Sequence, residues 1–327
     1  MAVRGETKEM RYFGGVKQQK DYEKVTDRPI IGILTCEFDY LNTGEPIESL
    51  PNTYSDMLES FGARAVPISF KWPKERIYRA LDKVNGVLFT GGDIVPYDFE
   101  SNEFHPYYLS LKHVLRYVIA KNDQGDYFPL LGICQGIQFL MRAISGNPEI
   151  IADSLRWGQN DTFTPLMTPL SEFNMLGNLD IQAYASRNGE ADERIEFNWH
   201  RYGIYLSEFY KSKELRGFFN VLSYDDYGDG KPIVSTVEAF NYPIIAVQYH
   251  PEKNLFDFWN QNIPHTRKAQ QFTEDFAFIF IDECKKNSHK FSSYNEEVSA
   301  LIGNYKRHTG VFGHEGDNLC VDYYRIS

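Results

Sequence analysis

The chain has 327 residues, 42% of them hydrophobic and 24% charged, a balance that can bury a substantial core and excludes a disordered tail or a fibrous repeat. Lys and Arg total 34 against 45 Asp and Glu, for a formal net charge of −11, which repels polyphosphate backbones and anionic surfaces and leaves out nucleic acid and membrane as partners. No run approaches the roughly 20 apolar residues of a membrane-spanning helix, and Met1 to Lys24 is too polar for a signal-peptide core, so a soluble chain is expected.

Residues 1–28 mix charges with Gly14-Gly15 and read as an extension over the surface. The globular domain is expected over 29–290, with 291–327 as a tail packing on it. Ile30-Ile31-Gly32-Ile33-Leu34 is a continuous apolar run, the mark of a strand buried on both faces. A helix is predicted from about Pro51 to Phe61, closed by Gly62 as a left-handed cap. The β-rich Ala65-Val66-Pro67-Ile68 follows. Helical stretches over about Lys74 to Asp82 and Tyr107 to Lys121 lead to apolar strands at Gly86 to Phe89 and Pro129 to Ile133. This alternation predicts an α/β fold, a parallel or mixed sheet flanked by helices on both faces. Beyond residue 150, strands are expected at Leu179 to Ala183, Val221 to Tyr224, Ile233 to Val237 and Ile244 to Gln248. A final helix, about Thr266 to Lys286, precedes a polar and aromatic tail without a clear period.

Four cysteines (Cys36, Cys134, Cys284, Cys320) lie far apart, without zinc-knuckle pairs or the density of a disulfide scaffold, and no metal is expected. The sequon Asn160-Asp161-Thr162 has meaning only in a secretory route.

Three strand ends carry chemistry. Gly132-Ile133-Cys134-Gln135-Gly136 ends a buried strand and opens an apolar helix, the form of a nucleophile elbow, where glycines two before and two after leave room for strand and helix to cross. The helix N-terminus favours a thiolate over a thiol. Taken alone, the pentapeptide also fits an inert core cysteine. Ile244 to Gln248 delivers Tyr249-His250-Pro251-Glu252 at its carboxyl end, where open α/β sheets place their sites. An imidazole there can hold a proton and return it to a leaving amine, and Glu252 can orient it. Gly86 to Phe89 runs into Thr90-Gly91-Gly92-Asp93, whose bare N–H groups, with the amide of Gln135, suit the oxygen of a tetrahedral intermediate.

Together these motifs resemble the class I glutamine amidotransferase fold and, more narrowly, the folate gamma-glutamyl hydrolase family. The finer match rests on Pro29 to Leu34, Leu58 to Arg64, Gly125 to Pro129, Phe197-Asn198-Trp199-His200, Phe218 to Leu222, Tyr249 to Asn254 and Lys285 to Phe291, collinear from about Pro29 to Gly310. The resemblance implies that Cys134 is the nucleophile, His250 the base and acid, and Glu252 the third position of the triad. It implies that Gly91, Gly92 and Gln135 supply oxyanion donors and that His200 and Gln138 meet substrate. The implied substrate is a folylpoly-gamma-glutamate, cleaved without metal or organic cofactor by a homodimer in a lysosomal, vacuolar or secreted setting. Two departures stand out: Gln138 occupies a position where these hydrolases usually carry glutamate, and Ser49 lies in a segment where they tend to place a functional tyrosine. They imply weakened activity, restored by Gln138→Glu with or without Ser49→Tyr. Two other functions fit the same residues: a glutaminase subunit feeding ammonia to a synthetase, and a pseudoenzyme kept as a binding or structural subunit.

Overall fold

The computed structural model of the chain describes residues 22–39, 44–98, 103–153, 166–167, 175–176, 195–226, 230–312 and 319–326. The expected strand at 179–183, the sequon at Asn160 and most of the N-terminal extension lie outside them.

Its centre is an eight-stranded sheet in the order Leu166–Met167, Phe219–Asp225, Ile233–Ala239, Ile244–Val247, Leu130–Ile133, Gly86–Phe89, Ile30–Leu34, Arg64–Ile68. The last five strands of that order are mutually parallel, and the first three join antiparallel. Alternate residues of the parallel strands enter two different cores. Ile30, Leu34, Val87, Phe89, Leu130 and Ile244 pack with the helices Lys74–Leu81, Pro106–Asp123 and Gln135–Ser145. Ile31, Ile33, Leu88, Leu131, Ile133 and Ile245 pack with Asn52–Ser60 and Arg267–Cys284. Each strand therefore needs apolar residues on both faces, which is why its sequence shows no alternation. The first helix ends as read: Gly62 has φ +94, its N–H donates to Glu59 O, and Ala63 N–H reaches back to Leu58 O, a Schellman closure that a side chain at Gly62 would strain.

The tail is more ordered than its sequence suggests. Arg307–Phe312 and Leu319–Arg325 form an antiparallel pair that adds to Ile47–Pro51, itself paired with Cys36–Phe38. This second sheet holds the strand that leads directly into the Asn52–Ser60 helix. The Lys285 to Phe291 segment has a similar bracing role: Asn85 accepts from Ile30 N through Oδ1 and donates through Nδ2 to Asn287 O and His289 O.

The antiparallel half buries two carboxyls, Glu196 and Asp225, whose oxygens have no well-formed hydrogen bond among the described residues, with the Ser235 hydroxyl the polar group beside Asp225. Burial, with Asp225 as a neighbour, pushes the Glu196 carboxyl well up. Burial, partly offset by Ser235, pushes Asp225 from an ordinary 3.8 up to about 7. The folded state thus holds protons that the unfolded chain releases above about pH 4, so this contribution favours the fold in acid and is lost as pH rises through 7. An Asp225→Asn variant should gain on the native chain as pH rises from 4 to 7, by about 1.4 kcal/mol per unit at most. Urea midpoints at pH 4.5, 6 and 7.5 measure this, and a difference that stays flat with pH would contradict it.

Candidate active site

The strands ending at Phe89, Ile133 and Val247 are adjacent and parallel, so their carboxyl ends deliver Gly91-Gly92, Cys134 and His250 to one place. Cys134 has φ 53 and ψ −106, and among the described residues it is the one non-glycine with positive φ. Such a conformation costs on the order of 1–3 kcal/mol and persists only where packing enforces it. The enforcement is visible in the flanking glycines. A Cβ on Gly132 would lie 2.7 Å from Leu140 Cδ1, and one on Gly136 would lie 2.8 Å from Phe89 O. At Gly136 the clash is with backbone, so the strand and the 11-residue helix Gln135–Ser145 cross only with hydrogen there, while at Gly132 a side chain would have to displace Leu140 and press on the Gly136 carbonyl carbon. That crossing sets the sulfur over the helix N-terminus, whose first N–H groups have no intrahelical acceptor and favour negative charge.

Gly91 is wedged in the site: a Cβ there would lie 2.8 Å from Tyr54 Oη, 2.9 Å from His250 Cε1 and 3.2 Å from Cys134 Cβ. Its N–H, expected to serve an oxyanion, donates to Tyr54 Oη at 2.8 Å instead. The close packing of the phenol against the diglycine turn holds this bond. Gln135 contributes more than its backbone amide, because its side chain grips the loop after Gly92. Its Nε2 donates to Ile94 O at 2.9 Å and its Oε1 accepts from Ile94 N at 3.3 Å. Gly92 and Gln135, the other two expected oxyanion donors, both line the pocket over Cys134.

His250 and His200 are both buried and sit in opposite states. His250 Nδ1 lies 2.7 Å from Glu252 Oε1, and its Nε2 is turned to Cys134 with no other partner among the described residues. Burial alone lowers the imidazole's proton affinity. The Glu252 carboxylate and the Cys134 sulfur outweigh it and push His250 up to about 10. For His200, burial and the neighbouring His250 act in the same direction and bring it down to about 3. His200 is therefore neutral. Its Nδ1 stands 3.0 Å from Tyr202 O, and since a carbonyl only accepts, Nδ1 carries the proton and Nε2 is an acceptor. Among the described residues, no group of three or more His, Cys, Asp and Glu side chains could hold a metal ion.

Residues 29–154 match the family model of Peptidase C26. The chain is 32% identical over 301 residues to Gamma-glutamyl hydrolase 1 of Arabidopsis thaliana, covering 90% of this chain and 82% of that protein. To the gamma-glutamyl hydrolase of Homo sapiens it is 33% identical over 283 residues, covering 84% and 83%. The chain belongs to the gamma-glutamyl hydrolase family. Gamma-glutamyl hydrolase B of Dictyostelium discoideum is 29% identical over 298 residues, covering 90% of this chain and 83% of that protein. Among solved structures, a putative GMP synthase component from Thermoplasma acidophilum is similar at a TM-score of 0.44 and 17% identity, covering 83% of this chain and 98% of that one.

The family's two departures in this chain lie differently from what the sequence suggests. Ser49 is fully buried, flanked in its sheet by Cys36 and Arg325, and is not part of the pocket wall. The phenol that does reach the site is Tyr54, five residues further on in the first turn of the Asn52–Ser60 helix. Gln138 lines the pocket, but its amide is tied inward, with Nε2 donating to Tyr202 O at 2.7 Å and to Gln248 Oε1 at 3.2 Å. The cavity over Cys134 measures about 350 Å³, and its wall also carries Trp199, Arg201 and Lys253. Sequence reasoning missed Tyr54, Arg201, Lys253 and Gln248 as site residues. The segment Tyr249 to Asn254 contained Lys253, but nothing in its sequence set that lysine apart.

Proposed function

We propose that this chain hydrolyses gamma-glutamyl bonds of folylpoly-gamma-glutamates through a gamma-glutamyl thioester on Cys134. The observation that carries it is a cysteine on a strained elbow facing a histidine that a buried carboxylate holds charged. The Cys134 thiolate attacks the gamma-carbonyl carbon, and the Gly92 and Gln135 N–H groups meet the oxygen as it gains charge. His250 gives its Nε2 proton to the leaving amine, the C–N bond breaks and the thioester remains. The neutral imidazole then takes a proton from water, hydroxide adds to the thioester, and the thiolate departs as the acid is released.

Substrate charge supports this reading. A poly-gamma-glutamate carries one free α-carboxylate per residue, and a chain of net charge −11 must supply local cations to receive it. Arg201 stands in the wall beside the nucleophile as such a cation, while Lys253, which also lines it, has its charge paired with Asp257 Oδ2 at 2.6 Å. A lysosomal, vacuolar or secreted setting belongs to the same proposal. The protonated Glu196 and Asp225, which favour the fold in acid, support an acidic one.

The test is incubation of the pure chain with a folylpentaglutamate, an α-linked pentaglutamate and L-glutamine in separate vessels. Shortening of the gamma-linked chain with the α-linked one intact is the expected result. Ammonia from glutamine without gamma-chain shortening would overturn the proposal in favour of a glutaminase. No turnover in any vessel would overturn it in favour of a binding subunit.

A further inference from the structure

We infer that Gln138 is a positioning residue that decides which end of the Gln248 amide meets the Cys134 sulfur, giving the nucleophile a fixed N–H donor. This rests on Cys134 being the nucleophile. The order of donors follows from a backbone carbonyl and does not depend on how either amide is drawn. Tyr202 O can only accept, and Gln138 lies 2.7 Å from it, so Gln138 must present its NH₂ there. The same NH₂ stands 3.2 Å from Gln248, which must answer with Oε1. The other end of that amide, Nε2, is then the group 3.8 Å from Cys134 Sγ.

Gln248 is fully buried and Gln138 is 4% exposed, so water cannot replace a mispaired end and the arrangement has a single favourable sense. Turning Gln248 over would set two NH₂ groups against each other and lay oxygen lone pairs on the thiolate. The donor acts alongside the other groups facing the sulfur. Those are the Trp199 carbonyl, 3.9 Å from Sγ, His250 with Glu252 from the strand end and Tyr54 from the first helix, with His200, Asp93, Arg201 and Lys253 elsewhere on the pocket wall.

A glutamate at 138 has nearly the same shape but, when ionised, can only accept. It would leave Tyr202 O with the His200 Nδ1–H as its one remaining side-chain donor, set like charges toward that carbonyl, draw the Gln248 NH₂ toward itself and turn Oε1 to the sulfur. When protonated, it regains one donor. Gln138→Glu should therefore weaken the nucleophile in neutral solution, the reverse of the restoration expected from the sequence.

The experiment is the pH dependence of Cys134 alkylation by iodoacetamide in the full chain, a readout that needs no gamma-glutamyl substrate. Gln248→Leu should move the midpoint of the curve up by roughly one to two pH units, the equivalent of one charge-assisted hydrogen bond. Gln138→Glu should move it upward as well, with the difference from the native chain shrinking toward acid as the introduced carboxyl is protonated. The double variant should match Gln248→Leu alone, since the two act through one contact. A Gln138→Glu curve that superposes on the native one, with the fold intact by circular dichroism, would overturn the inference, as would additive effects in the double variant. If the shifts appear in a chain that cleaves no gamma-glutamyl bond, the inference stands and the proposed function falls.

Discussion

Cys134→Ser should remove turnover, with a loss on the order of 10⁶-fold in kcat, the scale of losing a hydrolase's nucleophile. The reason lies in the charge state of its partner. With His250 pushed up to about 10 by Glu252 and the sulfur, the imidazole is protonated at neutral pH and serves as a counter-ion and acid. The proposed nucleophile beside it is the sulfur as its thiolate. A hydroxyl would need a neutral imidazole as base, and Glu252 alone still opposes that state. The oxygen is also shorter-reaching than sulfur, so the Gln248 amide at 3.8 Å from Sγ is too far to assist it.

The fold should survive this exchange, since serine fills the same space at the helix N-terminus. Thermal melts within a few degrees of the native chain are expected. In the native chain, iodoacetamide should label Cys134 before Cys36 and Cys284, which are fully buried with their thiols pushed up, Cys36 to about 12. Peptide mapping at short times shows the order. Retained gamma-glutamyl cleavage by Cys134→Ser would place the nucleophile elsewhere.

The parallel half of the sheet was legible because its physics is local. Ile30 to Leu34 and Leu130 to Ile133 face a helical layer on each side, and a strand buried twice must be continuously apolar. Cys134 was legible for a similar reason: a strained turn needs Gly132 and Gly136, and that need shows in five adjacent letters. The second sheet was not. Its strands Ile47–Pro51 and Leu319–Arg325 pair across nearly the whole chain, and a partner that distant leaves no period in either segment.

Within the site, the sequence names residue types, and the fold assigns their states. His200 and His250 are the same side chain in one pocket, yet one is neutral and the other charged. The Glu252 carboxylate and the Cys134 sulfur raise the one, while burial and the neighbouring His250 lower the other. Tyr54 sits in the helix Asn52–Ser60, and its hydroxyl's acceptor role toward Gly91 exists only once that helix meets the turn after Phe89. Gln248 closes an apolar run, so it reads as the last residue of a strand. Only its neighbours Gln138 and Cys134 give it a function.

His250→Asn and Glu252→Gln separate a dyad from a triad. His250→Asn takes away the acid for the leaving amine and the base for water, and should cost at least about 10²–10⁴-fold in kcat/KM. Glu252→Gln is the subtler case. Its oxygen can still accept from Nδ1–H across the present 2.7 Å, so the tautomer and ring angle are kept while the charge is lost. A buried charge-assisted hydrogen bond contributes about 1.5–3 kcal/mol, or roughly 10- to 150-fold at 1.4 kcal/mol per decade. The carboxylate is also what raises His250 against its burial. Without it the imidazolium loses its proton at lower pH, so the alkaline limb of the pH–rate profile should move toward neutrality. A Glu252→Gln enzyme within about threefold of the native rate and with an unmoved alkaline limb, beside an inactive His250→Asn, would reduce the working unit to Cys134 and His250. A loss in the predicted range together with the shifted limb assigns Glu252 the part its fully buried position suggests, that of holding His250 charged until the amine leaves.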